Sequence, residues 1–477
     1  MNQRVSLVEA HEFRGYWWLP GDEEAKLTGT LAISNGASAL DVLGDFGHRL
    51  LSETSREKAY SLDPAEQPRI IGISTDGRGI TLDGFIAAPG TISMPGIPAT
   101  TYRHSFALIG KQFDEGEEIG FDEIAIRASD LNAWTVVSGF QNQMRIQKNE
   151  EKGSTSFAGV DIRYEAPDDI DIPLGRGERA FIRFAATSKG ITGHGTNVSL
   201  KQEATFHLRF HRRCDLKTVL GRLSQVRNFL SLAVGRPVTV LSVSGYRDDF
   251  VYEQTGTHRP IELVWELPRN PEPPTKPRQP QEMLFTLPEA APSISSVLRH
   301  WFATQERLSP VLNLFFGVRH HPGLTLEVRF LSYAQALETY DYRRRRKPGD
   351  LRLAQRMASV LGQCRSVSKR IVGAGPNAEA AFINDFKNSR NYYTHYNPRE
   401  ERTAATGAEL YLLTIQLQAL IEMSFLRQLG FTCRAIEATL ERSRRLTEIE
   451  FVRRKLAADG TSTRVRSVSS KRHAEAL

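Results

Sequence analysis

The 477-residue chain predicts an α+β multidomain protein: a β-rich, sandwich-like N-terminal region followed by an all-α helical bundle. Three observations predict it. Short alternations of apolar and polar residues, punctuated by Asn-Gly, Asp-Gly and single glycines, run through the first 267 residues. A stretch with six prolines between Pro268 and Pro280 then excludes any helix or central strand. From residue 293 onward, apolar residues recur at helical spacing. The length allows two to four domains at roughly 150 residues each.

The first strands fall at residues 27–34 and 39–43, with Asn35-Gly36 as the hairpin turn. Residues 69–74 and 80–83 flank Asp76-Gly77 in the same manner, and residues 133–137 and 180–184 add two further strands. Many short strands at this spacing suggest a sandwich or a partly closed sheet. A helix inserted near 215–234 interrupts them. Asp215 is its cap, and Leu216, Val219, Leu223, Val226 and Leu230 lie on its stripe. Strands at 238–243 and 261–267 complete a β-rich domain over residues 1–267, a sensing and regulatory domain in the reading developed below. Residues 268–290 form a Pro-rich linker. Residues 291–458 form the helical domain, with helices at 293–308, 326–342, 351–361, 379–396, 410–429 and 433–456. The basic segment 459–477 has little apolar content and reads as a disordered tail.

The net charge of +7 conceals a division. Residues 1–290 carry 32 Lys and Arg against 38 Asp and Glu, a net of −6, whereas residues 291–477 carry 30 against 17, a net of +13. A basic block of that size suits a polyanion. Cys214, Cys364 and Cys433 are far apart and follow no metal-ligand spacing, so they read as small core residues, with no disulfide scaffold. The first 20 residues lack the apolar run of a secretory signal. The most apolar stretch, 410–425, is interrupted by Gln416, Gln418 and Glu422 and falls short of the roughly 20 residues a span requires. The expectation is a soluble cytoplasmic protein without membrane association.

Residues 385–398, Asp-Phe-Lys-Asn-Ser-Arg-Asn-Tyr-Tyr-Thr-His-Tyr-Asn-Pro, carry the chemistry. Arg390 presents a fork of donors that suits a phosphodiester, and His395 can move a proton near neutral pH. RNA supplies its own nucleophile, the 2′-hydroxyl, so no serine, cysteine or metal is needed to cut it, and no cofactor is expected. On a helix, Asn391 and His395 share a face. Arg390 and His395 stand about 140° apart around the axis. Either Arg390 curls around the helix, or two copies of the motif from two chains share a site. His395 lies in the last turn, where a helix favours cations, as suits a proton donor.

The Arg390-Asn391-Tyr-Tyr-Thr-His395 stretch, late in a basic helical region, resembles the HEPN ribonuclease signature. The helix from Phe330 to Tyr340 is similar to an early helix of those domains. Phe13-Arg-Gly-Tyr-Trp-Trp-Leu-Pro20, followed by Gly29-Thr-Leu31, resembles the opening of the ApeA family of bacterial anti-phage proteins. The resemblance implies a β-rich domain ahead of a HEPN-like bundle, a metal-independent endoribonuclease and a homodimer with a composite site. It also implies abortive infection in response to a phage-derived trigger. It assigns phosphate contact to Arg390, proton transfer to His395 and a supporting polar role to Asn391. The RNA partner can be tRNA, rRNA or mRNA. The alternative is a non-catalytic HEPN-like module that binds RNA or a protein.

Other features carry less. The basic run from Asp341 to Lys347 reads equally as an RNA grip or a helix end. Arg442 to Arg445 and Arg453 to Lys455, interleaved with glutamates, read as a salt-bridged solvent face. Arg319-His320-His321 lacks a nearby carboxylate for a metal site. Glu338, on the helix similar to the early HEPN helix, reads equally as a neighbour of the site or as a structural acid. Trp17-Trp18 reads as core, and Gly373-Ala-Gly375-Pro376 as a connector.

Overall fold

The computed structural model describes residues 4–44, 46, 50–53, 58–60, 69–87, 99–149, 154–192, 197–267, 270–290, 293–345 and 351–459. The expected tail beyond Asp459, residues 268–269 of the Pro-rich segment and the end of the basic run at 346–347 lie outside them. The chain divides into two compact units, Met1–Arg227 with Val238–Pro277, and Asn228–Pro237 with Arg278–Leu477.

The first unit contains strands β1 (His11–Trp18), β2 (Leu27–Ser34), β3 (Ala37–Leu43), β4 (Leu50–Glu53), β5 (Lys58–Tyr60), β6 (Ile70–Ser74), β7 (Gly79–Ala87), β8 (Ala99–Ile109) and β9 (Gly120–Ala128). After the short helix α1 (Leu131–Thr135) come β10 (Phe140–Asn149), β11 (Ser154–Tyr164), β12 (Ile170–Gly175), β13 (Glu178–Thr192) and β14 (Asn197–Asp215). Helix α2 (Leu216–Val234), whose residues from Asn228 onward belong to the second unit, precedes β15 (Val240–Tyr246) and β16 (Ile261–Trp265). The architecture departs from the expected sandwich. Strand β8 pairs with both β3 and β7, so β8-β3-β2-β1-β6-β7 closes into an antiparallel barrel. The second half of β8 exchanges β3 for β16, and the sheet continues through β15, β9, β14, β13 and β12. Closure satisfies strand edges that a sandwich would leave open. It depends on β8 switching partners midway, which local alternation does not encode.

Local chemistry explains the individual turns. Asn35 and Gly36 both adopt positive φ, the geometry of a two-residue hairpin turn. Cross-strand register places Phe13, Trp17, Leu31, Leu40, Ile80 and Leu82 on one buried face. Trp17 lies over Gly72, where a Cβ would stand 2.4 Å from the indole. Trp18 is buried on the opposite face, beneath the ammonium of Lys26 at 4.5 Å. The strand expected at 133–137 is corrected. Leu131–Thr135 forms a helical turn that buries Leu131 and Trp134, bounded by Asp130 and Val136 in left-handed conformation. Burial of one turn outweighs the strand propensity of Trp-Thr-Val-Val. Helix α2 begins as expected, with the Asp215 carboxylate accepting from the Thr218 amide at 2.6 Å.

In the second unit, Met283, Leu284 and Phe285 are buried ahead of α3 (Leu287–Ala290). Helices α4 (Ile294–Arg319), α5 (Leu326–Arg344), α6 (Leu353–Leu361), α7 (Arg365–Val372) and α8 (Ala378–His395) follow. The bundle ends with α9 (Pro398–Glu401), α10 (Gly407–Gln428), α11 (Cys433–Arg442) and α12 (Arg445–Ala458). The helix expected over 433–456 is broken at Arg444, which adopts positive φ. Helix α10 is buried around most of its circumference and packs against α4, α5, α7, α11 and α12, as a central helix must. Cys364 and Cys433 form a disulfide across 69 residues of sequence, which corrects their reading as separate core thiols; only the fold reveals their proximity. Cys214 remains free. Among the described residues, no helix is long and apolar enough to cross a membrane.

Glu262 on β16 is buried and accepts the Ser244 hydroxyl at 3.1 Å. Burial pushes its carboxyl from 4.5 up to about 7, against the opposing effect of that hydroxyl. A raised carboxyl stabilises the fold below its unfolded value and loses that contribution as pH climbs toward 7. Glu262→Gln is therefore expected to gain roughly 3 kcal/mol on the wild type between about pH 4 and pH 8. Urea unfolding across that range measures the gain, and parallel pH profiles would contradict it.

Candidate active site

Helix α8 carries the motif, and its inner face explains its position. Phe382, Phe386, Ser389 and Tyr393 fall on one buried stripe that faces α5 and α6. Tyr393 meets Phe330 edge-on at 5.9 Å. Two buried hydrogen bonds clamp the last two turns to the segment after α9. The Ala405 amide donates to Ser389 Oγ at 2.9 Å, and the Tyr393 hydroxyl donates to the Ala405 carbonyl at 2.9 Å. Tyr396 ends the helix in left-handed conformation. Asn397 then caps α9, accepting from the Arg399 amide, with Pro398 at its first position.

The motif side chains stand off that stripe. Arg390 is half-buried and grips Glu338 of α5, with Nε 3.0 Å from Oε1 and Nη2 3.5 Å from Oε2. Its Nη1 takes no protein partner among the described residues. Asn391 is half-buried and His395 is exposed, and neither side chain makes a hydrogen bond among the described residues. No hydrogen bond or ion pair joins Arg390 to His395 within the chain, in keeping with their angular separation on the helix. The fold therefore brings Arg390 to Glu338, places Asn391 beside it, and leaves His395 facing solvent at the carbonyl end of α8. The ring of Tyr392 lies 5.5 Å from that of the exposed Tyr396 next to this end. The arrangement offers a pre-oriented guanidinium, an amide and a freely accessible imidazole.

The remaining candidates are mainly structural. Asp341 is fully buried and holds Arg344, Arg345 and the Ser359 hydroxyl, so much of the basic run is a neutralised helix end. Arg319 and Arg445 both bind the buried Glu422. The expected solvent face near Arg445 is thus partly a core ion pair, a departure that sequence spacing could not show. His320 contacts Asn228 at 3.0 Å, and His321 contacts the Gly317 carbonyl at 2.9 Å. Among the described residues, no cluster of His, Cys, Asp or Glu is arranged to hold a metal ion. The Gly373–Pro376 turn, read as a connector, borders a cavity of about 240 Å³ with Arg365 and Lys369. The Glu338–Arg390 pair was only partly legible, because it joins two helices whose packing the sequence does not state.

The chain matches two protein-family models. ApeA N-terminal domain 1 matches residues 12–301, and Apea-like HEPN matches residues 331–435, a range that includes Glu338, Arg390, Asn391 and His395. No curated protein and no solved structure matches.

Ser389→Ala is expected to cost about 1–3 kcal/mol, because it leaves the buried Ala405 amide unsatisfied. Arg390→Ala and His395→Ala are expected to stay within about 1 kcal/mol of wild type, since both side chains are partly or fully in solvent. Chemical denaturation of the three variants measures this, and a large loss in His395→Ala would give that residue a structural task instead.

Proposed function

The chain belongs to the ApeA family, and on that premise we propose that it is a bacterial anti-phage protein that cuts RNA at Arg390, Asn391 and His395 and acts by abortive infection. The observation that carries this reading is the exposure of His395 at the end of a helix whose hidden face is fixed by Ser389 and Tyr393. A solvent-facing imidazole without a structural partner, four residues from a half-buried amide and near an oriented guanidinium, suits general acid chemistry.

The proposed reaction needs only the groups present. The RNA 2′-hydroxyl attacks the adjacent phosphorus, its proton passes to water, and the bond from phosphorus to the 5′-oxygen breaks. His395 donates a proton to that leaving oxygen. Arg390, held by Glu338 through Nε and Nη2, offers Nη1 to the phosphoryl oxygens, where negative charge accumulates. Asn391 steadies substrate or imidazole. The products are a 2′,3′-cyclic phosphate and a 5′-hydroxyl. Because one chain holds Arg390 and His395 on diverging directions, the site is composite, with each residue supplied by a different copy in a homodimer. The acidic first 290 residues and the basic remainder are of opposite net charge, which supports a controlling role for the N-terminal domain in the cytoplasm until a phage-derived trigger arrives.

The test is phage plating on cells that express wild type or His395→Ala at equal levels. The wild type is expected to reduce plating, and the variant to lose at least about 10²-fold of that reduction, the usual contribution of a general acid. Equal protection by the variant would refute catalysis at this position. Purified variant that still binds RNA while neither it nor wild type releases fragments would favour the non-catalytic module.

A further inference from the structure

Among the described residues, strands β10 and β11 pair only with each other, forming a two-stranded sheet separate from the large one. Their register sets Asn142 opposite Ile162, Met144 opposite Val160 and Ile146 opposite Phe157. A bulge falls between Arg145 and Ile146, where Gly159 and then Phe157 are the successive partners and Ala158 is the extra residue. That extra residue resets the alternation, so Phe157 joins the face of Met144 and Val160 rather than the opposite one. One face of the ribbon is consequently apolar, with Met144, Ile146, Phe157, Val160 and Ile162 between 43% and 69% exposed. The other face is polar, and Arg145 and Asp161 pair across it at 3.1 Å. At the root, the rings of Phe140 and Tyr164 meet at 4.8 Å.

An isolated two-stranded ribbon is marginally stable in water, and a contiguous exposed apolar face marks an interaction site. We infer that this face is a self-association surface, covered by the same face of a second copy of the chain. Three features select that occupant. The five residues expose roughly 600 Å² together, so two copies bury at most about 1,200 Å², the size at which specific interfaces begin. The five apolar side chains carry no charge, and the register adds Lys148 only at the far end of the same face, so twofold packing with the ribbons running in opposite directions keeps the two lysines apart. Packing through the face also leaves the strand edges untouched, whereas a peptide added at an edge would leave the apolar side chains in water. The two ribbons stack as layers about 10 Å apart. This surface is independent of the ribonuclease reading.

The test uses the full chain. Phe157→Asp with Ile162→Asp is expected to weaken self-association roughly tenfold or more in sedimentation velocity over a concentration series. Gln141→Asp with Gln143→Asp on the polar face leaves it unchanged, and circular dichroism verifies folding of both variants. In a Cys214→Ser background, Val160→Cys is expected to form a chain-to-chain disulfide under mild oxidation, while Gln143→Cys does not. Should other surfaces hold copies together, this contrast still reports on the ribbon. Unchanged association of the apolar-face variant with equal cross-linking at the two cysteines would overturn the inference, as would a wild type that stays monomeric at every concentration.

Discussion

The second unit depends on one buried carboxylate. Glu422, wholly enclosed in the central helix α10, is bound by Arg319 at the end of α4 and by Arg445 at the start of α12, the latter at 3.1 Å. Burial alone would raise its carboxyl, but Arg445 and Arg319 outweigh that effect and hold it below its ordinary value. The second cation is balanced by backbone carbonyls. Arg319 donates to Ser231 at 2.9 Å, and Arg445 and Arg278 donate to Gly235 at 3.2 and 3.3 Å, all at the carbonyl end of α2. Helix ends favour cations in this way. A buried ion pair adds little net stability, yet removing one partner typically costs 3–5 kcal/mol. Here the group joins α2, α4, α10 and α12 at one point.

That junction sets the frame for the motif. Helix α10 packs against α5, and α5 in turn packs against α8. Arg390 is oriented from α5 by Glu338, and the last two turns of α8 are pinned by Ser389 and Tyr393. Rigid support on one side and an exposed His395 on the other is the division expected of a functional site. Arg390 and His395 diverge on α8, a separation that the proposed composite site would bridge with two copies of the chain.

Local signals in the sequence were legible where local chemistry decides. Asn35-Gly36 marked a hairpin, Asp215 a helix cap, and the periodicity of 326–342 and 379–396 the helices that hold Glu338 and Arg390. Signals that depend on distant pairing were not. Closure of the barrel rests on β8 changing partners, and the Cys364–Cys433 disulfide joins residues 69 positions apart. Glu422 was visible only as the charge that interrupts an apolar stretch, and its partners Arg319 and Arg445 read as a failed metal motif and a solvent face. A lone acid within an apolar helix gains its meaning from cations that tertiary packing supplies. The motif stands out by residue types and spacing alone, whereas the pairing of Arg390 with Glu338 needed the fold.

The most direct measurement mixes two inactive chains. Arg390→Ala and His395→Ala, co-refolded or co-expressed, form heterodimers in which one composite site retains Arg390 from one copy and His395 from the other. Random pairing leaves about a quarter of the wild-type sites intact. The account predicts RNA cleavage near that fraction from the mixture and almost none from either variant alone. A mixture as inactive as its components, with heterodimers demonstrably present, would contradict the composite site.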